Sequence, residues 1–318
     1  MGGDMKKIIV TVMGLIAACV PVTSWAQCQS VRFAQVSWTD VQATTAVASE
    51  LLRRLGYDVE VKEMSVPEVY SSLAASEVDA FLGNWMPSMQ SVVAPYKDSG
   101  AVEVLAENLQ GAKYTLAVPD YVYNAGVRHF EDLARFKERF DGRIYGLEKG
   151  NDGNGLLFSM IEANEFGMAG FDVMELPERL MLRQVERHVR DQQWIAFLAW
   201  APHPMNNQFD LHYLAGGDAY FGPDYGGATV YTNVRRGFTE QCPNAAKLLS
   251  NLQFDVRMEG QMMDMILNEF VPADRAVRAW MHANPQVVST WLDGVTSQQG
   301  ESVDAAQLAK AMKLTFGS

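Results

Sequence analysis

The strongest constraint on the fold is a regular alternation of short apolar runs with longer amphipathic ones, punctuated by glycine, proline and asparagine. Alternating strand and helix signals argue for an α/β architecture. Residues 31–36 read as a first strand. Thr39 or Asp40 is placed to cap a helix whose apolar stripe runs through Val47, Leu51 and Leu55, and Gly56 stops it. Tyr57, Val59 and Val61 then alternate with Asp58, Glu60 and Lys62, the period of a half-buried strand. Pro67 opens a helix through Val69 and Leu73, and residues 79–83 form a short strand running into Asn84-Trp85-Met86-Pro87. Further strands are expected at 113–119, 143–148, 194–199 and 230–234. A helix at 156–166 closes at Gly167, helices dominate after Asn244, and residues 305–314 suit a last one.

The first 26 residues read as an export signal. Lys6 and Lys7 precede an apolar run over residues 8–20, and Ser24-Trp25-Ala26 offers a small-x-small cleavage site. The run is shorter than the roughly 20 apolar residues of a membrane span. Ile16-Ala17-Ala18-Cys19 also resembles a lipoprotein signal, which would tether the chain through Cys19. Cleavage leaves two cysteines, Cys28 and Cys242. An even count in an exported chain suggests a disulfide. Such a bond brings both ends of the chain into one lobe, 27–112 with 231–318, and makes 113–230 an insertion that forms a second lobe. About 290 residues exceed one ordinary core, which fits that division. Removing Asp4, Lys6 and Lys7 moves the formal charge from −12 to −13. Phosphate contacts need Lys and Arg, so an acidic chain of this kind is a poor nucleic-acid binder. The sign suits a cationic ligand.

Aromatic and polar residues recur at the expected strand ends. Trp38 follows the first strand and Trp85 the strand at 79–83; Tyr114 begins the strand at 113–119, and Trp200 follows the strand at 194–199. Asp40 lies two residues after Trp38, and Asn151 sits in the loop after 143–148. In α/β sheets ligands bind at the carboxyl ends of strands. Taken singly, each Trp reads as packing, Asp40 as a helix cap and Asn151 as a turn residue. Only their joint placement points to a ligand, and periodicity alone stops at a ligand-binding α/β protein.

The stretches Ser37-Trp38-Thr39-Asp40, Gly83-Asn84-Trp85-Met86-Pro87, Lys113-Tyr114, Gly150-Asn151-Asp152-Gly153 and Trp200-Ala201-Pro202-His203 resemble the glycine betaine/choline family of ABC importer substrate-binding proteins, its periplasmic choline-binding members in particular. The resemblance covers essentially all of the mature chain, Cys28 and Cys242 included. It implies a two-lobed periplasmic-binding-protein fold (the type II Venus flytrap) with the ligand in the cleft between the lobes. Carried over residue by residue, it places a four-aromatic box on Trp38, Trp85, Tyr114 and Trp200, with Asp40 and Asn151 as polar partners. It also implies delivery of ligand to a membrane permease and its ATPase.

A quaternary ammonium has no N–H to donate. Aromatic faces hold it instead, at roughly 0.5–2 kcal/mol per contact. Choline adds a hydroxyl, which Asp40 suits and Asn151 can meet as donor or acceptor. Betaine and carnitine carry a carboxylate that Asp40 would repel. His203, after the Trp200 strand, is the candidate that favours betaine or carnitine, unless Pro202-His203-Pro204 is a rigid turn whose His faces outward. The expected ligand is therefore choline, with acetylcholine or betaine as further ligands. Neither Gly-x-Ser-x-Gly nor His-Glu-x-x-His occurs, and the five histidines are scattered. No catalytic residue, cofactor or metal site is expected, and the chain is expected to be a monomer.

Overall fold

The structure, a computed structural model, describes residues 28–312. The expected export signal over residues 1–26, with Lys6, Lys7 and Cys19, lies outside the described residues, as does the end of the last expected helix beyond Met312.

Among the described residues nine strands form one sheet: β1 (Ser30–Gln35), β2 (Asp58–Glu63), β3 (Ala80–Met86), β4 (Val102–Pro119), β5 (Arg143–Tyr145), β6 (Asp172–Met174), β7 (Phe197–Ala201), β8 (Leu211–Tyr213) and β9 (Gly227–Arg235). The order is β2-β1-β3-β9-β4-β7-β5-β6, and β8 pairs with the far end of β4. Two parallel sets, β2-β1-β3 and β7-β5-β6, flank a central pair of long strands that run antiparallel to each other. Strand β4 changes partners along its length. Val102 to Lys113 lie against β9, whereas Lys113 to Ala117 lie against β7. The central strands thus carry the chain from one half of the sheet to the other.

The local reasons match the sequence. In β1, Val31 and Phe33 are fully buried, in parallel register with Val59 and Val61 of β2. Helix Thr39–Arg54 buries Val47, Leu51 and Leu55 against the sheet and against helices Val256–Leu267 and Ala273–Ala283. Gly56 ends it at φ +95°, a conformation only glycine adopts without strain. Ser65 and Glu68 form a capping box for helix Val66–Ala74, where Pro67 sits in the first turn. Cys28, just before β1, is disulfide-bonded to Cys242, just before helix Pro243–Asn251, with Cα atoms 5.1 Å apart. Among the described residues no helix is long and apolar enough to cross a membrane.

Several boundaries differ from expectation. β4 begins at Val102 rather than 113, because β9 covers its first half. Three register shifts against β9 interrupt the two-residue period there, which hides that half in the sequence. β3 extends to Met86, so Trp85 lies within the strand, paired with Val230. β7 begins at Phe197 and contains Trp200. Only the start of the glycine-rich stretch after β5 is a turn, at Gly150. Asn151 caps a helix that starts at Asp152 and ends at Glu162, and a separate 3-10 turn, Glu165–Gly167, follows. Neither Thr39 nor Asp40 caps the first helix. The cap position is Trp38, whose side chain makes no cap bond.

Candidate functional site

A small, tightly walled pocket lies where the two halves of the sheet meet. Its lining is Trp38, Asp40, Trp85, Tyr114, Leu147, Asn151, Asp152 and Trp200. Six of these eight are the residues singled out in the sequence, and all six are at most 5 % exposed.

Each wall has a local cause. Trp38 sits where β1 hands over to helix Thr39–Arg54, and its indole Nε1 donates to Glu148 Oε1 at 2.8 Å. Trp85, near the end of β3, donates from Nε1 to Asp40 Oδ2 at 3.1 Å, and Asp40 lines the pocket from the first turn of its helix. Tyr114 and Trp200 are directly opposed across β4 and β7. Opposed residues of an antiparallel pair point to the same face, so both rings reach one side of the sheet. The Tyr114 ring also stands edge-on to Trp85, centroids 6.1 Å apart. Its hydroxyl donates to Asn151 Oδ1 at 3.0 Å, and the same oxygen accepts the Asn154 N–H at 3.1 Å. Gly153 permits this approach, since a Cβ there would lie 2.1 Å from the Tyr114 hydroxyl.

The polar groups left over define the chemistry. Among the described residues, Asp40 Oδ1, Asn151 Nδ2, Trp200 Nε1 and both carboxylate oxygens of Asp152 are buried with no hydrogen-bond partner within normal geometry. Burial, with Glu178 nearby, pushes the Asp40 carboxyl up to about 7. Burial likewise pushes Asp152 up to about 6, opposed by the Ser88 hydroxyl and by backbone N–H groups at the start of its helix. Glu148 and Glu259 are raised by burial as well, and Asp40 contributes to the shift of Glu259. Among the described residues, no Lys, Arg or His lines the pocket. A cavity walled by three indoles and a phenol, with two carboxyls destabilised as anions, favours a cation that presents an apolar surface. The free oxygen of Asp40 and the free amide of Asn151 together complement a group that both gives and takes a hydrogen bond, as an alcohol does.

His203 does not line the pocket, nor does it face outward from a rigid turn. It is 4 % exposed and stands behind Trp200, ring centroids 4.4 Å apart. Its Nδ1 accepts the Met205 N–H at 2.9 Å, so Nε2 carries the proton and donates to Glu178 Oε1 at 3.1 Å. The sequence reading also missed Leu147 and Asp152 in the lining, and Glu148 and Glu178 behind it. Asp152 was within reach, as the acidic neighbour of Asn151. Glu178 gives no such sign: an acid in the first turn after Pro177 is ordinary helix chemistry.

Among known proteins, residues 29–283 match the family described as the substrate binding domain of ABC-type glycine betaine transport systems. An ABC-transporter choline binding protein solved in complex with choline is 49 % identical, with a TM-score of 0.87, over 90 % of this chain and 98 % of that one. An ABC-transporter choline binding protein in an unliganded semi-closed conformation is also 49 % identical, with a TM-score of 0.82, over 90 % and 99 %. An uncharacterised protein, ORF1 of Chromohalobacter salexigens, is 55 % identical over 142 residues, which are 44 % of this chain and 92 % of that protein.

Proposed function

Since the chain belongs to the family of substrate-binding domains of ABC-type glycine betaine transport systems, we propose that it captures choline between two lobes outside the cytoplasm and delivers it to a permease driven by an ATPase. The observation that carries the ligand assignment is the pocket itself: Trp38, Trp85, Tyr114 and Trp200 around two raised carboxyls, with no basic side chain in the lining. The trimethylammonium group sits against the four rings. Its charge restores the ionised forms of Asp40 and Asp152. The hydroxyl donates to Asp40 Oδ1 and accepts from Asn151 Nδ2, both of which lack partners in the protein's described residues. Four aromatic contacts at roughly 0.5–2 kcal/mol each supply enough for a micromolar complex once binding entropy is met. The 49 % identity to a choline binding protein supports the same ligand.

The lobes are residues 27–112 with 231–318, and 113–230. The change of partner along β4 at Lys113 supports the first crossing. Residues 1–26 are removed on export. The chain binds without chemistry, consistent with a family of transport domains.

A carboxylate ligand is the second reading, because Asn151 Nδ2 and Trp200 Nε1 are both unpartnered donors. Asp40, whose free oxygen lines the same pocket, opposes it. Calorimetric titration with choline, acetylcholine, glycine betaine and carnitine decides. Choline is expected to bind at least tenfold more tightly than glycine betaine, or about 1.4 kcal/mol. Equal affinities, or tighter betaine, reject the assignment.

A further inference from the structure

Helix Thr39–Arg54 begins without a cap of its own. Its cap position is Trp38, whose side chain makes no cap bond. The first N–H groups of a helix need acceptors, and an anion is favoured there. The acceptor comes from the other half of the sheet. Glu178, at the start of helix Glu178–Arg190, takes the Thr39 N–H on Oε2 at 2.9 Å and the Thr39 hydroxyl on Oε1 at 2.8 Å. The same Oε1 takes the His203 Nε2–H at 3.1 Å. Glu178 is 3 % exposed, so these bonds stand in place of water.

Glu178 therefore joins two segments that carry cage walls: Thr39 follows Trp38 directly, and His203 lies against Trp200. It does not itself line the pocket. A second bond crosses beside it, from Trp38 Nε1 to Glu148 Oε1, and Glu178 adds to the burial that raises Asp40.

We propose that Glu178 is a positioning residue that clasps the closed cleft, capping from one lobe the ligand-facing helix of the other and locking Trp38 and Trp200 in place. The inference rests on reading the cleft as a ligand site that closes. Opening exposes the Thr39 N–H and separates the carboxylate from its donors, so the clasp acts on ligand residence time rather than on encounter. His203 is part of the clasp, holding the carboxylate in orientation.

The test compares the parent with Glu178→Gln, by stopped-flow binding of choline and by small-angle X-ray scattering. Glutamine has one oxygen and one amide that donates, so that amide must face a Thr39 or His203 donor. Choline should leave Glu178→Gln at least tenfold faster, with association within about threefold of the parent's. The choline-saturated variant should also scatter as a more extended particle. A dissociation rate within twofold of the parent's overturns the clasp. Should Glu178→Gln fail to fold, Thr39→Val decides, since it deletes only the hydroxyl donor: dissociation about threefold faster upholds the clasp, and the parent's rate overturns it. A parent that does not bind choline rejects the ligand assignment separately. The scattering of the ligand-free proteins then decides for the clasp, which requires a compact parent and an extended variant and is overturned if the two are alike.

Discussion

Choline affinity should fall steeply with acidification, and Asp40 should set where the fall begins. The Asp40 carboxyl is raised to about 7 by burial, with Glu178 adding like charge and the Trp85 N–H opposing. A cation favours the ionised form, so binding is strongest above this value and weakens as pH falls through it. With half-ionisation near 7, about one per cent of Asp40 is ionised at pH 5, a loss of about a hundredfold, or about 3 kcal/mol, if only the anion binds. Asp152, raised to about 6, adds a second, smaller loss of up to about tenfold at pH 5. In Asp40→Asn, whose side-chain oxygen still accepts the Trp85 N–H, the decline should begin only near pH 6. Calorimetry from pH 8 to pH 5, in buffers of different ionisation enthalpy, gives both the affinity and the protons released on binding. A dissociation constant that stays within twofold across this range refutes the argument, as does a parent that releases no protons at pH 6.5.

The cage predicts a graded response: alanine at Trp38, Trp85 or Trp200 should weaken choline binding by roughly 1–3 kcal/mol by titration, and phenylalanine by less. Trp194, packed between Phe136 and Phe140 under Arg139, and Trp280, stacked on Trp291, lie outside the pocket lining; replacing them should lower the melting temperature while leaving the affinity of the folded protein unchanged. Replacing both Cys28 and Cys242 by serine removes a bond that spans 214 residues, which should lower stability by roughly 4–5 kcal/mol in urea denaturation. Thiol titration of the unreduced, denatured parent should find neither cysteine free.

Much of this molecule was legible in its sequence. The strand-helix alternation up to Gly56 and beyond follows from period and turn chemistry and the Cys28–Cys242 bond from the cysteine count, while six of the eight pocket residues were marked by short motifs that resemble those of a known family. These signals are legible because each depends on neighbours within a few positions or on composition alone. The first half of β4 was hidden, because its register shifts against β9 break the alternation by which a strand is recognised. The roles of Asp40, Glu178 and His203 were decided by tertiary structure. Asp40 reads as a helix cap until Trp85, 45 residues away, takes its carboxylate. Glu178 supplies the missing acceptor from 139 residues along the chain, and His203 turns toward that carboxylate rather than toward the ligand or the solvent. A polar side chain takes its function from the partner it meets in space, and no local pattern encodes a partner from the other half of the sheet.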